Sequence, residues 1–375
     1  MKNAPPRLLI WTSIPTHHQS SFFEALRARG IDLVVHYLEH VNETRLGLGW
    51  HSHGQLPPGE RYAGPSLRAL ELCPDWRERI HIIPGYSRLF LLQLAWLLSG
   101  QRVPWLHWSE HSWPKLRSHL TFAVKRFYGH MVQRHGLGAL AIGDLARDEF
   151  LRWGIPADRI RFLPYAVPRV AGPVGAESPE MPIEAPRFLF LGLLCQNKGI
   201  DLLLLAMRDV LAAHPNARLE LTGRDESDGG YARAAERLDI AHAVRFTGVV
   251  DSSHIGTVLR RCDVLILPSR HDGWGVVLNE AASAGMALIA SDGCGAAHHL
   301  IEHEVNGYRF PVGERTALAA AMQAYCRNPG LARRHGAESL RIFEDFTPER
   351  NAERLEEALL SLQPAPPAIT SVKVA

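Results

Sequence analysis

The sequence predicts an α/β fold of two doubly wound parallel sheets that face each other across a cleft. Short aliphatic runs alternate with longer segments of helical periodicity along most of the chain, which is typical of parallel sheets covered by helices. A proline-rich stretch at 168–186 interrupts this alternation, which restarts at Arg187. The chain has 375 residues, more than the roughly 250 to 300 that one hydrophobic core usually supports. Two domains are therefore expected.

Residues 1–168 form the first predicted domain, in which each short apolar run is followed by an amphipathic segment. Gly30 provides the stop signal for the first helix. The predicted strands are 7–13, 32–37, 79–83, 104–108, 139–142 and 160–163, and the predicted helices are 21–29, 88–98, 115–135 and 144–153.

The second half repeats the same architecture after a linker predicted at 169–186, where proline alternates with small residues. The second domain is predicted at 187–346, with its last helices at 314–327 and 330–344. A further helix lies within 347–363; Thr347 can cap it and Pro348 suits its first turn. The tail at 364–375 contains three prolines and is predicted to be disordered.

Cysteine usage and hydropathy indicate a cytoplasmic protein. The five cysteines are an odd number and scattered, without a Cys-x-x-Cys pair, which favours reduced thiols over disulfides or a zinc site. The amino terminus lacks the features of a signal peptide. The longest apolar run, 89–98, is too short to span a bilayer. Any contact with a membrane should therefore be peripheral.

The charge distribution points to an anionic partner of the first domain. Residues 1–170 contain 21 Lys and Arg against 13 Asp and Glu, and the remainder contains 20 against 26. The predicted helix at 115–134 combines basic residues, among them Lys125 and Arg126, with aromatic and aliphatic ones. No nucleic-acid motif is found, so the inner face of the cytoplasmic membrane is the expected partner. The alternative is that this helix only covers its own domain core.

The motif with the strongest chemical content is Pro268-Ser-Arg-His-Asp-Gly-Trp-Gly-Val-Val-Leu-Asn-Glu280, which follows a predicted buried strand. Gly273 and Gly275 allow a tight turn and close approach of the backbone to a ligand. Asp272 and Glu280 would lie roughly 12 Å apart if the interval were helical. That separation exceeds the roughly 5 to 10 Å of a glycosidase pair and suits an extended ligand such as a nucleotide sugar.

This motif resembles the Glu-x7-Glu signature of retaining glycosyltransferases of family 4, which have the GT-B fold of two Rossmann-like domains. Four other segments resemble family elements in the same order: a phosphate loop, a base-binding loop, a strand with a glycine turn, and a closing Asn-Gly. They are Phe190–Leu204, Val244–Gly248, Ala287–Gly295 and Asn306-Gly307. Together they extend from about Arg187 to Val312.

The sequence departs from the family pattern at three places. Leu193 stands where an arginine usually provides a second diphosphate cation, and Arg224 or Arg270 would have to replace it. Asp272 is one methylene shorter than the usual glutamate. The Gly-Gly loop after the first strand is absent, and residues 14–21 occupy its place.

The resemblance implies the following site. Lys198, Asp272 and Glu280 are the catalytic candidates. Phe246, Trp274 and Asn279 are donor-binding candidates, although core packing is an equally open interpretation for Phe246 and Trp274. The other predicted donor-binding residues are Gly192, Arg224, Gly273 and Gly275.

On the first domain, polar residues following predicted strands are candidates for contact with the acceptor or the donor sugar. They are His17, His18, Glu110 and His111. Clusters of His and carboxylates at metal-ligand spacing are lacking, and no Asp-x-Asp motif occurs, so no metal is expected.

The implied function is a metal-independent retaining glycosyltransferase that moves a sugar from a nucleotide diphosphate donor to an acceptor hydroxyl. The acceptor would be a sugar, a glycan or a lipid-linked molecule in cell-envelope polysaccharide or glycolipid synthesis. The donor is a co-substrate, and no cofactor is expected. A nucleotide-sugar epimerase of the same fold and a catalytically degenerate GT-B scaffold remain alternatives. A nicotinamide-dependent oxidoreductase is disfavoured because no Gly-x-Gly-x-x-Gly follows the first strand.

Overall fold

A computed structural model describes residues 5–41, 55–85, 88–112, 119–170, 186–328 and 330–362. It contains two sheets in which every strand pairing is parallel. The strands of the first sheet are β1 Arg7–Thr12, β2 Asp32–Tyr37, β3 Glu60–Tyr62, β4 Ile80–Ile83, β5 Trp105–Ser109, β6 Gly138–Ala141 and β7 Ile160–Phe162. Those of the second are β8 Arg187–Leu191, β9 Arg218–Thr222, β10 Val244–Gly248, β11 Val264–Leu267, β12 Ala287–Ser291 and β13 Gly307–Phe310. The first sheet has the order β3-β2-β1-β4-β5-β6-β7, and the second has the order β10-β9-β8-β11-β12-β13.

Helices connect and cover these strands. In the first domain they are α1 His17–Ala28, α2 Leu89–Gly100, α3 His119–His135 and α4 Asp144–Arg152. In the second domain they are α5 Ile200–Leu211, α6 Gly230–Arg237, α7 Ile255–Arg260, α8 Val277–Ser283, α9 Ala297–Leu300, α10 Arg315–Arg327, α11 Leu331–Phe343 and α12 Pro348–Ser361. The predicted class of two parallel-sheet, Rossmann-like domains is confirmed.

The strands are apolar on both faces because helices cover both sides of each sheet. In β1, Leu8 and Ile10 join one hydrophobic cluster, and the alternate residues Leu9 and Trp11 join another on the opposite face. The first of these clusters continues into the second domain. The two domains are therefore joined by continuous apolar packing as well as by the chain.

The carboxyl ends of the strands carry the loops that meet at the cleft, among them those after β1, β5 and β11. In each sheet the order reverses beside a central strand, β1 in the first and β8 in the second. Loops that follow strands at such a reversal diverge to opposite sides, and the crevice they leave is where ligands of doubly wound folds bind.

The last helix returns to the first domain. α12 packs against α1, and Asn351 Nδ2 donates to the Pro164 carbonyl in a short buried bond. The Thr347 side chain accepts from the Arg350 amide, and Pro348 lies in the first turn. The cap predicted from Thr347-Pro348 is therefore confirmed.

Three local predictions need correction. The first helix begins at His17, four residues before the predicted start, because Thr16 caps it by accepting from the Gln19 amide. The three-residue edge strand β3 was not predicted. The helix that carries Glu280 begins only at Val277, so the 12 Å spacing, which required a helical interval, does not apply. The predicted helix residues 115–118, most of the linker and the tail lie outside the described residues.

Candidate active site

The loop after β8 carries Lys198 to the cleft. Lys198 ends a single turn of 3-10 helix and Gly199 adopts φ 75°. A Cβ at Gly199 would collide with the Pro268 carbonyl, so a side chain there would separate this loop from the loop after β11. The close approach lets Lys198 Nζ form a short ion pair with Asp272 Oδ2. Burial opposes the charged amine, but the charge of Asp272 and its hydrogen bond together outweigh this effect and raise the pKa of Lys198.

Glu110, from the loop after β5, reaches across the cleft to Gly273. A Cβ at Gly273 would overlap the Glu110 carboxylate, so glycine at this position makes room for a side chain of the other domain. Tyr165 donates a hydrogen bond to Glu110. Burial, followed by the nearby charge of Asp272, raises the pKa of Glu110 to about 7. A carboxyl of this kind can donate or accept a proton near neutral pH.

His111 lies beside Glu110 and touches the same motif. Its ring is 4.6 Å from that of His271, edge to face, and it hydrogen-bonds the Gly273 backbone. Burial lowers the pKa of His111 to about 4. The neutral imidazole therefore contributes a hydrogen bond to the domain contact and no charge.

Glu280 is the second bridge between the domains. Its side chain is 12% exposed, and Oε1 lies 3.0 Å from His17 Nε2 in the first turn of α1. Burial opposes protonation of His17, but the hydrogen bond and the charge of Glu280 together outweigh this effect and raise the pKa of His17. The neighbouring His18 packs its ring 4.9 Å from that of Tyr165. The structure thus brings Lys198, Asp272, Glu280, Glu110 and His17 to one cleft.

Trp274 and Asn279 are buried and do not face the cleft. Trp274 is 1% exposed and its Nε1 donates to Asn279 Oδ1 at 2.8 Å. Asn279 Nδ2 donates to the Tyr165 carbonyl at 3.2 Å, and His299 stacks on Trp274. Both side chains are packed in the interior and help to hold the domains together, which agrees with the core-packing alternative for Trp274. Contact of either residue with a donor stays a prediction.

The remaining donor-binding candidates occupy the rim of the second sheet. Gly192 directly follows β8 with φ 147°, and Gly275 has φ 90°. Phe246 is partly buried and packs against the core. Arg224 pairs with Glu226 at 3.3 Å, and Arg270 makes a two-bond pair with Asp201.

The basic helix α3 differs from its predicted role at Lys125. Lys125 Nζ lies 2.7 Å from Glu149, and both side chains are about 10% exposed. The prediction that Lys125 contacts a membrane is therefore wrong, because its ammonium group is buried and paired with Glu149 inside the domain. Arg126 is exposed. Within the part of the chain that the structure describes, no helix is long and apolar enough to cross a bilayer.

Sequence reasoning missed Tyr165 and His271 beside the cleft, and His299 in the contact between the domains. His271 lies inside the quoted motif, beside Asp272, and could have been chosen on position alone. Tyr165 follows β7, and His299 lies in α9, after β12. No motif marks either position. Among the described residues, no group of three or more His, Cys, Asp or Glu is arranged to hold a metal ion.

Two Rossmann-like domains with polar loops meeting at the carboxyl ends of both sheets define the GT-B architecture of glycosyltransferases. The solved structure of Alr3699/HepE from Anabaena, in complex with UDP and glucose, superposes with a TM-score of 0.71 at 17% identity, covering 95% of this chain and 100% of that chain. This similarity establishes the fold.

Residues 177–340 match the model of the family described as "Glycosyl transferases group 1". An uncharacterised glycosyltransferase of Methanocaldococcus jannaschii, MJ1607, is 34% identical over 119 residues, which are 32% of this chain and 30% of that protein. A phosphatidyl-myo-inositol mannosyltransferase of Mycobacterium leprae is 30% identical over 224 residues, 56% of this chain and 55% of that protein. The matches thus span about a third to a half of these relatives' lengths.

Proposed function

We propose that the chain transfers a sugar from a nucleotide diphosphate donor to an acceptor hydroxyl, with retention of anomeric configuration and without a metal or cofactor. The observation that carries the proposal is the convergence of Lys198, Asp272 and Glu280 with Glu110 of the opposite domain. One cation and several carboxyls along an extended cleft suit a ligand with a diphosphate centre and hydroxyl groups at both ends.

The second domain holds the donor in this proposal. Lys198 binds the diphosphate, Asp272 accepts hydrogen bonds from sugar hydroxyls, and Glu280 accepts from the ribose hydroxyls. The backbone at Gly192 and at 273–275 lets phosphate oxygens approach closely, and Phe246 borders the base. The complex of Alr3699/HepE with UDP and glucose supports a uridine donor, and guanosine remains the other candidate.

The reaction breaks the bond between the anomeric carbon and the β-phosphate oxygen and forms a bond to the acceptor oxygen on the same face. The acceptor proton passes to the departing phosphate, so that nucleoside diphosphate and glycoside are the products. Lys198 stabilises the negative charge that develops on the leaving oxygen. Closure of the domains through Glu110 and His17 excludes water as a competing acceptor.

The acceptor is proposed to be a glycan or lipid-linked molecule of the cell envelope, reached by peripheral contact with the inner face of the cytoplasmic membrane. The mannosyltransferase relative, whose name specifies a phosphatidylinositol acceptor, supports this class. Large apolar side chains are exposed on neighbouring α2 and α3, including Trp96 at 67% and Phe127 at 58%. With the exposed Arg126, these side chains are proposed to form a surface suited to anionic lipid.

The donor site is tested by the melting temperature with UDP-, GDP-, ADP- and TDP-sugars in the presence of EDTA. A selective rise for one donor, lost in Glu280→Ala and retained in Glu236→Ala on the exposed side of α6, supports the proposal. No rise with any donor favours a degenerate scaffold. Products formed without acceptor identify an epimerase. A large loss of stability in Glu280→Ala with unchanged donor affinity would make Glu280 structural.

Membrane contact is tested by sedimentation with liposomes of anionic phospholipid. Trp96→Ser with Phe127→Ser should reduce binding, and Arg126→Glu should reduce it further. Leu360→Ser is the matched control, because Leu360 is 70% exposed on α12. Equal binding by all variants would remove the membrane proposal and leave the family activity untouched.

A further inference from the structure

The donor half of the cleft is poor in available positive charge. The cations on the loops after β8, β9 and β11 are already paired with carboxylates: Lys198 with Asp272, Arg224 with Glu226, and Arg270 with Asp201. Glu280 adds a further carboxylate to the same cleft. A diphosphate that carries two negative charges would thus meet at least as many carboxylates as cations on this side, which is unfavourable in a partly desolvated site.

The first domain supplies a cation at this place. His17 projects from the first turn of the 12-residue helix α1, which has no acidic residue in that turn. Its Nε2 reaches Glu280, 263 positions away, at 3.0 Å. The imidazole is 44% exposed, so a ligand can reach it without unfolding the helix. The positive end of the α1 dipole adds to the charge of the imidazolium.

The groups that face His17 favour its charged form. Glu280 is the anionic group on the opposing helix α8 that raises its pKa against the effect of burial. On its own helix, the ring of His18 lies edge-on at a centroid distance of 5.5 Å. The residue that is proposed to bind the donor ribose therefore both holds the His17 imidazole in place and favours its charged form.

We propose that His17 binds the donor diphosphate from the first domain: when the ribose hydroxyls take over Glu280, the released imidazolium turns to the phosphate oxygens. This assignment rests on the proposed function, because it requires a nucleotide diphosphate in the cleft. It differs from the sequence-based expectation of a sugar or acceptor contact. In the donor complex, Glu280 then binds the ribose and His17 binds the diphosphate. The donor thus links the two domains, as the His17–Glu280 ion pair does in the free protein.

The protonation state of His17 then controls the affinity for the donor. Affinity should be constant below the pKa of the His17 imidazole and should fall as the pH rises through it, by up to about tenfold per unit for one linked proton. The diphosphate of a nucleotide sugar is fully ionised across this range and does not add to the effect.

Calorimetric titration with UDP-glucose, UDP, UMP and uridine between pH 5.5 and 8.5 tests the assignment; the GDP series replaces them if the wild type prefers guanosine. His17→Gln keeps a donor for Glu280 but cannot be charged. It should weaken the binding of UDP-glucose and UDP roughly tenfold or more at low pH and should not weaken the binding of uridine. It should also abolish the pH slope for UDP-glucose, whose diphosphate does not titrate in this range. His17→Arg should retain affinity without a slope, and His18→Gln, the control, should behave as the wild type.

Two results would overturn the assignment. Tighter donor binding by His17→Gln would mean that His17 only competes with the ribose for Glu280. An equal loss for uridine and for the diphosphates would place His17 on the nucleoside. Failure of the wild type to bind any nucleotide would instead refute the proposed function, and that result is seen before any variant is measured.

Discussion

Replacing Gly273 with alanine tests whether the two domains close through Glu110. The added Cβ would lie 2.6 Å from the Glu110 carboxyl carbon and 3.2 Å from its Cβ. Gly273 is not among the glycines with positive φ, so alanine meets no backbone strain. The cost therefore falls on the contact between domains.

Overpacking of this kind costs about 1 to 3 kcal/mol, which corresponds to roughly a 5- to 150-fold change in an equilibrium constant. If the domains escape the overlap by opening, Gly273→Ala should weaken donor binding by a factor in that range and leave the melting temperature of the free protein nearly unchanged. Small-angle scattering should show a larger radius of gyration.

A double-mutant cycle with Glu110→Ala isolates the collision. In that background the carboxylate is absent, and only the 3.2 Å contact to the residue-110 Cβ remains, so Gly273→Ala should cost much less. Gly100→Ala is a control, since a Cβ there has no neighbour within 4 Å. Equal losses in both backgrounds would refute the reasoning, because the new methyl group would then obstruct the ligand or the loop and not Glu110.

Other changes test the interface, the buried pair and the titrating carboxyl. Asn279→Ala leaves the buried Trp274 Nε1 without its acceptor and should lower the free energy of unfolding by about 1 to 3 kcal/mol, measured by urea denaturation; no loss would mean that another acceptor replaces Asn279. Lys125→Met leaves the buried Glu149 carboxylate without its cation and should lower the free energy of unfolding by about 3 to 5 kcal/mol. The control Arg126→Ala, at an exposed position, should change that free energy by no more than about 0.5 kcal/mol. Similar losses in the two variants would contradict the assignment of Lys125 to the interior. The pKa of Glu110 is raised from 4.5 to about 7. Between pH 4.5 and 7 the folded protein therefore binds more protons than the unfolded chain. The contribution of Glu110 to stability is thus present at low pH and is lost as the pH rises to about 7. Glu110→Gln should remove that fall, and an unchanged pH dependence of unfolding would show that Glu110 is not its source.

The alternation of strands and helices could be predicted because buried parallel strands and amphipathic helices leave different periodicities in the sequence. The edge strand Glu60–Tyr62 could not, because three residues cannot establish a period and only its pairing with β2 identifies it. The first helix was placed too late because Thr16, its cap, stands before two histidines and a glutamine that carry no apolar pattern.

The candidate site was predictable within one domain and not between domains. Lys198 and Asp272 follow strands β8 and β11, which are neighbours in the second sheet, so strand order alone brings their loops together. The role of Trp274 could not be decided from the sequence, because a tryptophan between two glycines can contact a ligand or pack in the hydrophobic core. Its burial is decided by Asn279 and His299, whose positions relative to it depend on the completed fold.

The ion pairs of the cleft suggest why it can be stable and still open to a ligand. Lys198 with Asp272, and His17 with Glu280, satisfy the charges that a donor would otherwise have to neutralise. A charge left unpaired in such a partly buried cleft would destabilise the closed protein. Under the proposed function, donor binding is therefore an exchange of partners and not an addition of contacts, and its net affinity is the small difference between two sets of polar interactions. Substitutions that weaken the internal pairs without removing the group that faces the ligand should then tighten donor binding, the opposite of what loss of a direct contact would produce.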